Sequence, residues 1–115
     1  EGNELYWIKS LNNNHLNKFE QIVIEFHYPY KSTWKEVFEK LNKNHYLVHF
    51  HGNNCRELRW YDGVLVPYIF ECTYLHKKHF MDEPSLNNVQ IPSELDMPNI
   101  KERKDIVLCP KPFVN

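Results

Sequence analysis

The apolar positions of the chain change period several times, and each change marks an element. Leu5, Ile8 and Leu11 recur at three-residue steps with Trp7 beside them, which predicts a short amphipathic helix ended by Asn12, Asn13 and Asn14. Residues 21–26, QIVIEF, are nearly continuously apolar and β-branched, the pattern of a strand covered on both faces within a parallel sheet. Thr33 and Glu36 have capping-box spacing, and Trp34, Val37, Phe38 and Leu41 follow at i, i+3, i+4 and i+7, so a second helix runs over 33–43. Residues 45–50, HYLVHF, predict the next strand. The order helix, strand, helix, strand implies a right-handed crossover and a parallel α/β sheet in which the two strands are neighbours or near neighbours.

After Phe50 the pattern changes. RWYDGVLVPYIFECTYL holds two β-rich runs around Asp62-Gly63, a pair suited to a type I′ hairpin turn, so the sheet is expected to finish antiparallel. Pro67 interrupts the second arm, between residues 64–66 and 68–75. Pro84, Pro92 and Pro98 lie among polar residues over 82–104, which reads as a long surface loop, and IVLCP at 106–110 is a candidate last strand.

Composition narrows the classes. A chain of 115 residues, 42% hydrophobic and 25% charged, supports one core, so 1–115 is read as a single domain. A net charge of −1 provides no basic field, and no nucleic-acid partner is expected. No apolar run approaches the roughly 18 to 20 residues that cross a bilayer, and no signal-peptide pattern opens the chain; a soluble, cytoplasmic protein without a membrane partner is expected. Cys55, Cys72 and Cys109 are odd in number and lack CxxC spacing, which favours reduced thiols. The three glycines, Gly2, Gly52 and Gly63, lie far apart, so the chain contains no loop of the kind that cradles phosphates or dinucleotides.

Candidate chemistry gathers where the strands end. In open α/β sheets ligands sit beyond the carboxyl ends of the strands. The first strand ends Glu25-Phe26-His27, and the second ends His49-Phe50-His51 followed by Gly52-Asn53-Asn54. Parallel strands would deliver His27 and His51 to one sheet edge and a common cavity, with Gly52 bringing Asn53 or Asn54 over it. The competing reading is a plain turn, since asparagine tolerates left-handed geometry and bonds its own backbone. A zinc site is the sharper alternative: His49 and His51 share a strand face, and Cys55 and Cys72 offer thiolates, although no HExxH or paired CxxC supports it. Glu25 and Glu71 fall within apolar runs, where a buried carboxylate needs a partner. Trp7 and Trp34 fit helical core stripes, Trp60 is open to either role, and LHKKHF at 75–80 is locally positive.

The stretches EGNE with a Trp-bearing helix, QIVIEFH, VFEKLNKNHYLVHFHGNN and DGVLVPYIFECTYLHK together resemble the C-terminal half of FkbM-like methyltransferases. The resemblance runs through nearly the whole chain in order. It implies an α/β fold: the C-terminal part of a Rossmann-like class I methyltransferase sheet, with parallel strands followed by an antiparallel hairpin. It implies methyl transfer from S-adenosylmethionine to a hydroxyl of a small molecule or glycan. The family's D-x-E-G-x-E motif is matched by Glu1, Gly2 and Glu4, its leading aspartate expected just before residue 1. Carried onto this sequence, the resemblance assigns catalysis to His27 and Glu1, and acceptor binding to His51, Asn53 and Asn54. His27 is the candidate general base, and Tyr30 and Tyr68 border the pocket. The glycine-rich S-adenosylmethionine loop belongs to the other half, so the chain reads as a partial, substrate-side domain, inactive alone and prone to self-association through exposed sheet surface. A non-catalytic binding module and a small metal-dependent hydrolase are the alternatives.

Overall fold

The computed structural model describes residues 2–28, 34–109 and 111–115. Glu1, Pro29, Tyr30 and the Thr33 end of the expected capping box lie outside the described residues.

Two short helices open the chain, α1 (Glu4–Ser10) and α2 (Asn13–Leu16). The asparagine run does more than stop α1: the Asn12 side chain accepts from His15 N at 2.8 Å and caps α2, using the affinity of asparagine for helix N-termini. Strand β1 (Gln21–His27) follows, then α3 (Trp34–Asn44) and β2 (His45–Gly52). A separate hairpin, β3 (Leu58–Tyr61) with β4 (Val64–Pro67), turns through Asp62 and Gly63 at φ 47° and 78°, positive at both positions as a type I′ turn requires. Strand β5 (Ile69–His76) then returns to the first sheet and ends in a 3-10 turn, Lys77–His79.

The sheet order overturns the parallel Rossmann-like expectation. The three-stranded sheet runs β1-β5-β2, and both ladders are antiparallel; β3 and β4 form a second, antiparallel sheet. The crossover through α3 does make β1 and β2 run the same way, but it leaves a gap one strand wide. β5 fills that gap in the opposite direction and satisfies the inward backbone groups of both neighbours. Nor is β1 covered on both faces. It is an edge strand among the described residues, and Val23 is 70% exposed on it while Phe26 is fully buried.

One face of the sheet carries the core. Ile22, Phe26, Phe70, Cys72 and Tyr74 pack there against Ile8, Leu16, Trp34, Val37 and Leu41 from the three helices. Phe26 is the hub, with ring centroids 5.9 Å from Trp34, 5.0 Å from Phe38 and 5.5 Å from Phe70. Lys40 of α3 donates to the carbonyls of Ile8, Lys9 and Leu11, satisfying the exposed C-terminal end of α1 and locking the two helices together. Trp34 is a core residue, whereas Trp7 is 42% exposed and meets Phe19 edge-on.

On the opposite face one extra residue puts the β2 histidines beside the polar groups of β1 and β5. The β2–β5 register shifts between Leu47 and His49, so that His49 pairs with Thr73 and His51 with Glu71. Without this bulge at Val48 the register would move by one, and both histidines would turn into the apolar core. Residues 82–104 contain no helix or ladder strand; an isolated bridge, Ile91 to Leu108, is all that forms of the expected final strand. No helix among the described residues is long and apolar enough to cross a membrane.

Candidate functional site

Glu25, Glu71 and His51 form a row across the polar face, one from each strand, near the carboxyl ends of β1 and β2. Glu25 and Glu71 stand directly opposite each other, an unfavourable arrangement for like charges unless each is compensated. Each is, and the compensation divides the row into two groups.

The first group is built on His27. Its Nδ1 lies 2.8 Å from Glu4 Oε1 and its Nε2 lies 3.1 Å from Glu25 Oε1. Asn53 Nδ2 donates to the other Glu25 oxygen at 2.7 Å, while Asn53 Oδ1 accepts from Cys55 N at 2.9 Å. Burial works against the charge on Glu4, but backbone N–H groups of Glu4 and Gly2, with His27, outweigh it and hold the carboxyl below its usual range. Among the described residues its second oxygen, Oε2, is buried with no hydrogen-bond partner. Unpaired buried acceptors are rare because each forfeits its hydration, so this atom marks a place where a donor belongs. His27 also lines a cleft of about 380 Å³ with Gly2, Leu5, Tyr6, Tyr28 and Trp34.

The second group is built on His51, which is 3% exposed. Its Nε2 lies 3.0 Å from Asp105 Oδ2, and its Nδ1 lies 3.6 Å from Glu71 Oε2. Asn99 Nδ2 donates to Glu71 Oε1 at 2.6 Å, and His49 meets Asp96 at 2.8 Å. Asn54 donates to the carbonyls of Ile100 and Arg103 at 3.0 and 3.2 Å and accepts from Ile100 N at 2.8 Å. Everything in this group ties the segment after Asp82 to the sheet. Burial opposes a charge on His51, yet the hydrogen bond and charge of Asp105, with Asp96 and Glu71, raise its pKa above the usual value.

The structure therefore puts the sequence candidates at the same end of the sheet but in different roles. His27 faces a cleft. His51 is sealed under the 96–105 segment and does not line the cleft beside His27. Asn53 belongs with Glu25 and His27, whereas Asn54 is a clip for the covering segment. Glu1 and Tyr30 lie outside the described residues, and Tyr68 packs edge-on against Tyr28 at 4.0 Å. The partners Asp96 and Asn99 lie within the proline-rich loop and Asp105 just after it, where no periodicity marks them. Glu4 carried a signal in the acidic motif of the resemblance.

The zinc arrangement does not assemble. Among the described residues no three His, Cys, Asp or Glu side chains are grouped to hold a metal ion. Cys72 shares the core face with Tyr74, away from His49 and His51, and burial pushes its thiol pKa up, making the ligating thiolate costly. The positive run at 75–80 is answered internally, since Lys78 and His79 both pair with Glu20.

The glycines do not form a cofactor cradle either. Gly52 is packed so that a Cβ there would lie 2.8 Å from Pro67 Cγ, while Gly2 and Gly63 have nothing within 4 Å of theirs. The residues of this chain do not by themselves fit S-adenosylmethionine. No family model, curated protein or solved structure matches the chain.

Proposed function

We propose that this chain is the acceptor side of an O-methyltransferase that uses S-adenosylmethionine held outside these residues. The observation that carries the reading is His27, which lines a cleft and is fixed between two carboxylates. Glu4 holds Nδ1 as the protonated nitrogen and orients the ring, as a carboxylate does for a histidine base. Glu25 makes the longer contact and its side chain is 33% exposed, so as an acceptor enters it swings toward solvent with the Nε2 proton and leaves Nε2 free to accept. The acceptor hydroxyl, of a glycan or other polyol, then gives its proton to the vacated Nε2. The resemblance to FkbM-like methyltransferases supplies the reaction class.

Labelled-methyl transfer by the native protein to a panel of polyols and glycans tests the proposal. Transfer to a hydroxyl, lowered roughly 10²- to 10⁴-fold by His27→Ala with acceptor affinity retained, is the expected result. Acceptor binding with no transfer at all would favour a binding module, a reading that draws on the occupation of both His27 nitrogens. The outer edge of β1 offers a surface for self-association. Sedimentation that depends on concentration in the wild type, but not in Val23→Lys, checks that part.

A further inference from the structure

Beyond Tyr28 lies a second cleft, lined by Asn54 and Tyr68 as well, whose charged lining neither the histidine groups nor the resemblance accounts for. It encloses about 480 Å³ and is lined by Arg56, Arg59 and Arg103 together with Glu57, Tyr28 and Tyr68. That volume lies within the range of small-molecule sites. Among the described residues none of the three guanidinium groups makes an ion pair. Arg59 lies 4.7 Å above the Tyr68 ring, and Arg103 donates to Cys55 O at 3.1 Å. Asn54 fixes the Arg103 backbone through its carbonyl. Two of the three arginines are thus held by a ring or a carbonyl rather than by a carboxylate, and the cleft gathers three positive charges against the single negative charge of Glu57.

Like charges brought together around a concavity repel one another and concentrate a positive field inside it, which an anion relieves. Guanidinium forks match the paired oxygens of carboxylate, sulfate and phosphate esters. We infer that this cleft is an anion site, which holds a carboxylate, sulfate or phosphate ester of the acceptor. Tyr28 lines both clefts, so an acid group among the arginines leaves the rest of a sugar-sized ligand to pass Tyr28 toward His27. The inference rests on the proposed acceptor reading for that second half only; the anion site stands or falls by itself.

Calorimetric titration at fixed ionic strength with glucuronate, glucose 6-phosphate, glucose 6-sulfate and glucose separates these points. The acidic sugars should bind saturably and glucose at least about tenfold more weakly, the scale of a charge-assisted hydrogen bond. Arg56→Gln and Arg59→Gln should each weaken acid binding by about tenfold, whereas Glu57→Gln should tighten it. Lys35→Gln, on the exposed face of α3 and outside both clefts, should leave it unchanged, and the ranking among the three acids identifies the anion. Equal affinity for glucose and its acids, or indifference to both arginine substitutions, overturns the site. Acid binding that survives while no methyl transfer is found leaves the site standing and removes the methyltransferase reading alone.

Discussion

The carboxyl ends of β1 and β2 hold the same chemistry in opposite states of completion. Each presents a histidine between two carboxylates, Glu4 and Glu25 for His27, Glu71 and Asp105 for His51. At β2 the 96–105 segment closes over the ring, and Asn54 and Asn99 supply further hydrogen bonds between that segment and the sheet. At β1 the described residues leave a cleft beside the ring, and among them a buried carboxylate oxygen has no donor. A histidine flanked by acids is therefore not diagnostic of chemistry. What distinguishes the two is whether the fold has already used all of their hydrogen-bonding capacity.

The comparison breaks most easily at the histidines themselves. On the proposed reading His27→Ala should cost roughly 10²- to 10⁴-fold in methyl transfer, with some stability lost as Glu4 and Glu25 lose their partner, while His51→Ala should cost more in urea midpoint and little in transfer. A variant pair in which both lose stability and neither loses turnover would make the two sites equivalent. The asparagines sharpen the same contrast. Asn54→Ala strands the Ile100 N–H and takes a donor from the Arg103 carbonyl, and should cost about 1 to 3 kcal/mol, with faster hydrogen exchange through residues 96–105. Asn53→Ala instead releases Glu25 and the Cys55 N–H, and its distinguishing readout is weaker acceptor binding with the covering segment still protected.

Gly52→Ala probes the junction between the two regions. The added methyl would lie 2.8 Å from Pro67 Cγ and 3.3 Å from Ile106, so overpacking should cost on the order of 1 to 3 kcal/mol in chemical unfolding. An unchanged midpoint would mean that the hairpin and the covering segment give way freely.

The smallest expected effect is on pH dependence, and its sign is set by the closed site. The folded pKa of His51 is raised above 6.5, so its contribution to stability is complete below that value and disappears as pH rises through the folded pKa. Asp96 behaves oppositely. Burial acts against its charge, but Ser93 donors and the nearby His49 and His51 lower its pKa, so its contribution is present above 3.8 and is lost as pH falls through the folded value. The covering segment should be held most firmly between these limits. Urea midpoints followed from mildly acidic to alkaline pH should fall on the alkaline side in the wild type and lose that fall in His51→Gln.

Local elements were determined by the sequence alone, for reasons that act over a few residues. The β-branched runs gave β1 and β2, the stripe of Trp34, Val37 and Leu41 gave α3, and positive φ at Asp62-Gly63 gave the hairpin turn. The polar strand ends at His27 and His51 were equally visible as a candidate site. Strand order was not, because it depends on which distant segment satisfies the backbone edges. IFECTYLH reads locally as a hairpin arm, yet Pro67 ends that ladder, and β5 inserts between β1 and β2 with Phe70, Cys72 and Tyr74 facing the core. Nor did any local signal show that the extra residue at Val48 keeps His49 and His51 out of that core. The open and closed sites were separated only by tertiary structure, since the charges that close one of them, Asp96 and Asp105, lie more than forty residues farther along the chain and act only once the segment has folded back.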